Sequence, residues 1–150
     1  MRIALFQPDI PQNCGTILRL AACFDVGVDI IEPCGFIFDD RRFKRAGMDY
    51  LNTANVKRHS SWEHFIDSDE ERRLVLATTK SSCLHHEFIF QPTDTLLMGR
   101  ESSGVPGEVS DYCDHKVKIA MSVHCRSLNV AVSTGIILSE ALRQTNSFPA

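Results

Sequence analysis

The sequence lacks any apolar run approaching the roughly 20 residues that a membrane-spanning helix needs. It lacks the charged, then apolar, then small-residue pattern of a secretory leader. Met1 leads straight into R-I-A-L-F, so a cytoplasmic protein without a targeting segment is expected. No internal repeat and no low-complexity stretch interrupts it. Basic charge is not in excess: 16 Lys and Arg stand against 19 Asp and Glu, for a formal net charge of −3. That balance excludes a generally basic nucleic-acid coat and leaves room for a local basic face.

The six cysteines (Cys14, Cys23, Cys34, Cys83, Cys113 and Cys125) include no C-x-x-C pair. Their spacing has no disulfide-framework density. Reduced, mostly buried thiols in a reducing compartment are expected. His85-His86, Cys113-x-His115 and His124-Cys125 do not form the spacings that structural zinc prefers, so no metal site is expected. Catalytic Cys/His pairs stay open at this level, because their members can lie far apart in the chain.

What is present fits one α/β domain. A chain of 150 residues holds one core and has no composition break to divide it. The apolar runs Arg2–Phe6, Val28–Ile31, Leu74–Thr78, Thr95–Met98 and Lys116–Ile119 predict buried strands, with shorter candidates at Val56–His59 and Glu87–Phe90. Q-P-D-I-P-Q predicts a loop. Asn13 then caps a helix whose apolar residues Ile17, Leu20, Ala21 and Phe24 fall at helical spacing. Asp39 to Gly47 has acidic residues first and basic residues last, the pattern of a short helix. Ser60 or Ser61 caps W-E-H-F-I, a small helix follows Pro106, and Asn129–Gln144 forms the final helix. Strands alternating with helices imply a mainly parallel sheet flanked by helices.

Four stretches carry chemistry. The turn G-R-E-S-S-G at 99–104 matches neither the phosphate loop, the dinucleotide fingerprint nor the serine-hydrolase elbow. Its glycines permit close backbone approach to a flat ligand such as adenosine; the alternative is an ordinary tight turn. In R-S-L-N at 126–129, Ser127 or Asn129 can cap the last helix, whose unpaired N–H groups could also face a ligand. Asn13 and Arg19 read on their own as a cap and a surface arginine. Arg41, Arg42, Lys44 and Arg45, with Lys57, Arg58 and His59 further on, concentrate positive charge that suits phosphate, against the alternative of a solvated face neutralised by Asp39, Asp40 and Asp49.

Taken together, these segments resemble the SPOUT superfamily of RNA methyltransferases, in its 2′-O-ribose branch. P-D-I-P-Q-N-C-G-T-I-L-R at 8–19, L-L-M-G-R-E-S-S-G-V-P at 96–106 and I-A-M-S-V-H-C-R-S-L-N-V-A-V-S at 119–133 match its three motifs in order. I-I-E-P-C-G-F, D-D-R-R-F-K-R-A-G-M-D-Y and A-T-T-K resemble the small, extension-free enzymes that methylate the wobble ribose of tRNA. One departure is Ala120, where relatives usually have proline.

The resemblance implies a C-terminal trefoil knot, which periodicity does not predict. It implies an S-adenosylmethionine pocket touching Ala77, Gly99, Glu101, Ile119, Ser127 and Leu128. It implies Arg19, Asn13, Ser127 and Asn129 as catalytic residues, with Arg19 acting either as base or electrostatically. It implies a homodimer whose active sites draw on both protomers, and the anticodon stem-loop of tRNA as partner. The competing readings are methylation of another tRNA or rRNA site, and a non-catalytic RNA- or cofactor-binding module.

Overall fold

The computed structural model describes residues 1–37, 45, 55–68 and 71–150. Strands β1 (Arg2–Phe6), β2 (Gly27–Ile31), β3 (Val56–His59), β4 (Arg73–Ala77), β5 (Asp94–Met98) and β6 (His115–Val117) form one sheet. Its order is β3-β2-β1-β5-β4-β6, and every neighbouring pair is parallel. Helices α1 (Pro11–Cys23), α2 (Trp62–Asp67), α3 (Gly107–Tyr112) and α4 (Val130–Thr145) cover it. Among the described residues, no helix is long and apolar enough to cross a membrane.

The apolar runs are continuous because the central strands are buried on both faces. Along β1, Ile3 and Leu5 enter the core shared with Ile17 and Leu18 of α1 and Leu138 of α4. Ala4 and Phe6 point the other way, towards Phe65 of α2 and Val109 of α3. Asp29 lies buried within this apolar sheet. Arg2 Nε donates to its Oδ2 at 2.5 Å, and His59 Nε2 lies 2.7 Å from its Oδ1. Both partners come from adjacent strands, so pairing offsets the cost of burying the carboxylate.

Three expectations are corrected. Asn13 does not cap α1: the helix starts at Pro11, with Ile10 as N-cap and no side-chain cap. Proline suits a first helical position because its φ is preset and its missing N–H is not needed there. Glu87–Phe90 is not a strand. Its polar groups are met by Gln144 of α4, whose side chain accepts from Phe90 N at 3.0 Å and donates to Phe88 O at 2.9 Å. Finally, the thiols are not mostly buried: Cys14 and Cys113 are, Cys34 and Cys83 are partly so, and Cys23 and Cys125 are exposed. The short helix expected over Asp39–Gly47 falls almost wholly outside the described residues.

The sheet order places the site. The first three strands run outwards from β1 to one side, and β5, β4 and β6 lie on the other. Chains leaving the C-terminal ends of β1 and β5 therefore diverge and open a crevice, where α/β sheets hold ligands.

Candidate cofactor and substrate site

Two loops border that crevice, one after β1 and one after β5. They hold each other reciprocally. Asp9 N donates to Glu101 Oε2 at 3.0 Å, and Glu101 N donates to Asp9 Oδ1 at 3.2 Å. Ser102 Oγ donates to the other Asp9 oxygen. The two carboxyl groups share this corner and are pushed apart in acidity. Burial, then the hydrogen bond with Asp9, raises Glu101; the hydrogen bond with Glu101 lowers Asp9.

The β5 loop is shaped by two glycines. Arg100 N donates to Gly104 O and Gly104 N donates to Arg100 O, both at 2.9 Å, closing a tight turn. Gly104 sits at φ 68°, in the left-handed region. A Cβ on Gly99 would stand 2.8 Å from the Gly104 backbone, so the turn closes only without one.

Asn13, in the first turn of α1, joins this corner to the C-terminal helix. Its Nδ2 donates to Glu101 Oε1 at 3.3 Å, and its Oδ1 accepts from Asn129 Nδ2 at 2.9 Å. Asn129 in turn caps α4: its Oδ1 accepts from Ala131 N at 2.8 Å and Val132 N at 3.3 Å. An unbroken chain of hydrogen bonds thus runs from Asp9 through Glu101, Asn13 and Asn129 into the N-terminus of α4. Glu101 makes no ion pair with Arg100 or Arg126 among the described residues; its partners are the Asp9 amide and Asn13.

A cavity of about 430 Å³ opens beside this chain. Ala77, Gly99, Glu101, Ile119, Ser127 and Leu128 all line it, as do Asn13 and Asn129. Its walls come from the C-terminal ends of β4, β5 and β6 and from the start of α4. Met98, Ile119, Leu128 and Ile137 make it apolar, and Thr78, Thr79 and Ser133 add hydroxyl groups. Such a mixture suits a flat heterocycle with polar edges.

Sequence reasoning missed Met98, Thr78 and Ser133 as wall residues. The signal lay in their positions at strand ends and one helical turn beyond the cap, which only strand order makes meaningful. Arg19 is not among the cavity residues of its own chain; it lies exposed on α1. Of the basic run, Arg45 is exposed, and Arg41, Arg42 and Lys44 lie outside the described residues. Among the described residues no cysteine lines this cavity. Burial pushes the thiols of Cys34 and Cys113 up to about 12 and raises Cys14 as well.

The model of the SpoU rRNA Methylase family matches residues 1–139. The chain belongs to that family. A tRNA (cytidine(34)-2′-O)-methyltransferase of Beijerinckia indica is 53% identical over 147 residues, which cover 97% of this chain and 92% of the relative. The enzyme of the same name from Escherichia coli K12 is 36% identical over 146 residues, covering 96% and 93%. A solved structure described as giving insights into the 2-OH methylation of C/U34 on tRNA superposes with a TM-score of 0.90 at 35% identity, covering 95% of this chain and 94% of that one. The SpoU methyltransferase AviRb of Streptomyces viridochromogenes, in complex with its cofactor AdoMet, superposes with a TM-score of 0.86 at 26% identity, covering 96% of this chain and 60% of that one.

Proposed function

We propose that this SpoU-family chain transfers a methyl group from S-adenosylmethionine to the ribose 2′-hydroxyl of the wobble nucleotide, cytidine or uridine 34, of tRNA. The observation that carries this reading is convergence. Residues from three distant segments (Asn13, Glu101, and Ser127 to Asn129) meet at one cavity, in a chain similar over nearly its whole length to enzymes named for that reaction.

The cavity fits the cofactor. Its apolar walls suit an adenine ring, and its strand-end backbone lets a ring edge be read by peptide groups. Ala77, Gly99, Glu101, Ile119, Ser127 and Leu128 would hold it. When bound, S-adenosylmethionine supplies an electrophilic methyl group on a sulfonium centre.

The protein's contribution is positioning, because displacement at that methyl needs an in-line oxygen and no covalent enzyme intermediate. Asn13 is pinned by Glu101 and Asn129, and Asn129 by Asn13 and the first amides of α4, so each offers a fixed polar group beside the cavity. Ser127, just ahead of the cap, adds a hydroxyl for the ribose. Arg19 acts electrostatically in this reading. A guanidinium cation stabilises the developing 2′-oxyanion or a neighbouring phosphate, and the hydroxyl proton passes to solvent water as the methyl group leaves the sulfonium for the oxygen.

Arg19 is exposed on α1, and a homodimer would bring it to a site. Two observations support that assembly: α4 presents Val132 and Ile136 to solvent at 52% and 37% exposure, and Ile10 and Leu128 are each 40% exposed at the cavity. The threading of the last segment into a trefoil knot, the binding of the anticodon stem-loop by Arg41, Arg42, Lys44 and Arg45, and a cytoplasmic location belong to the same reading.

The deciding experiment is methyl transfer from labelled cofactor to bulk tRNA, followed by nucleoside mapping. Ribose-methylated nucleotide at position 34 is expected. Methylation confined to ribosomal RNA, or none with any RNA pool, would overturn the assignment.

A further inference from the structure

Arg100 stands in the cavity wall, between the glycine of the turn and the clasped Glu101. Its backbone is fully used, because both its N–H and its C=O are bonded to Gly104. Its side-chain Nε is buried and, among the described residues, has no hydrogen-bond partner. The two carboxylates of the loop pair have other partners, Glu101 in Asn13 and the Asp9 amide, Asp9 in Ser102 and the Glu101 amide.

A desolvated guanidinium donor without an acceptor is costly, more so than a neutral group. Native folds keep few such groups, and a binding site is one place where they are kept. The anchored turn fixes the root of the side chain, leaving the guanidinium to rotate from its shielded position towards the cavity. A planar fork of donors is suited to a carboxylate or a phosphate, which accept two parallel hydrogen bonds.

We infer that Arg100 is an oxyanion-binding residue of this cavity, turning its guanidinium onto a carboxylate or phosphate oxygen pair when the site fills. This inference rests on the proposed function, which supplies two sources of such an anion: the carboxylate at the amino-acid end of the cofactor, and a phosphate beside the target ribose.

Calorimetric titration with S-adenosylhomocysteine and with 5′-methylthioadenosine separates the sources, since the second ligand lacks the amino-acid end. Arg100→Gln and Arg100→Lys are compared with the unchanged protein, each first checked for a cooperative thermal transition. If the cofactor carboxylate is the partner, Arg100→Gln weakens S-adenosylhomocysteine about tenfold and leaves 5′-methylthioadenosine unchanged; one tenfold step is about 1.4 kcal/mol. Arg100→Lys recovers part of that loss, as a point charge without the fork.

If an RNA phosphate is the partner, both small ligands bind normally. The KM for tRNA rises, and the slope of log affinity against log salt falls by roughly 0.7 to 0.9, the value of one phosphate contact. Unchanged affinity for both small ligands together with unchanged KM and salt slope would overturn the inference. Failure of the unchanged protein to bind S-adenosylhomocysteine would instead overturn the proposed function on which it rests.

Discussion

Asp9 and Glu101 lie 92 residues apart in the chain, yet the backbone N–H of each is bonded to the carboxylate of the other. This reciprocal pair ties the loop after β1 to the loop after β5 at the mouth of the crevice. It also divides acidity between two like groups, which makes it readable by pH. Glu101 is raised from the ordinary 4.5, chiefly by burial. Between 4.5 and its raised value the native state holds a proton that the unfolded chain has released. Stability therefore falls as pH rises through that interval. Asp9 is lowered from 3.8, so its contribution is present above that value and is lost on further acidification. Glu101→Gln removes the first effect. In thermal unfolding from about pH 4 to 7, the unchanged protein should lose stability relative to Glu101→Gln as Glu101 ionises, then run parallel to it. A constant offset across the range would show that burial does not shift Glu101.

Asn13 and Asn129 separate cap from site. Asn129→Ala should cost about 1 kcal/mol in urea unfolding, because α4 loses its cap. Asn129→Ser keeps a capping oxygen but is too short for Asn13, so stability should stay within about 0.5 kcal/mol. Its kcat/KM should nevertheless fall roughly tenfold or more, the equivalent of about 1.4 kcal/mol of lost positioning. Asn13→Ala leaves partners unmet at both ends and should lose about 1–3 kcal/mol of stability together with activity. Full activity in Asn129→Ser would mean that the Asn13 link is structural only.

The two turn glycines should respond differently to alanine. At Gly99 the new Cβ meets backbone at 2.8 Å, which cannot move without opening the Arg100–Gly104 bridge. Gly99→Ala should cost about 1–3 kcal/mol and weaken S-adenosylhomocysteine. At Gly104 nothing lies within 4 Å of the Cβ position, and the cost is conformational only, roughly 1–2 kcal/mol for a left-handed alanine. Calorimetry on the two variants checks this; equal losses of affinity would contradict the steric account of Gly99.

Arg19 is tested through its shape as well as its charge. Arg19→Lys keeps a cation on the exposed face of α1 but removes the planar fork. A fall in kcat with an altered pH profile is expected. Mixing Arg19→Lys with Asn13→Ala protein then asks whether sites are shared between copies, since two damaged chains that complement each other should restore part of the activity. Normal turnover of Arg19→Lys at every pH would remove any special role for the guanidinium.

Much of the molecule was legible in the chain itself. Continuous apolar runs such as I-A-L-F and L-V-L-A mark strands buried on both sides, and helical spacing marks Ile17 and Ala21, which the core holds together with Leu138 and Leu142. Local chemistry narrows each cap to two candidates, Ser60 or Ser61 for α2 and Ser127 or Asn129 for α4, and the structure selects Ser61 and Asn129. The motif residues Asn13, Glu101 and Asn129 could be named from their order along the chain. What they do to one another could not. Periodicity carries no information about which strands become neighbours, so the placement of β1 beside β5, and hence the meeting of Asp9 with Glu101, was decided by the tertiary structure. Asn13 shows the difference most plainly: its residue type suggests a helix cap, but Pro11 begins the helix and leaves the amide to bridge Glu101 and Asn129. Residue type and spacing determine local preference, whereas the partner of a polar side chain depends on long-range packing that only the fold supplies.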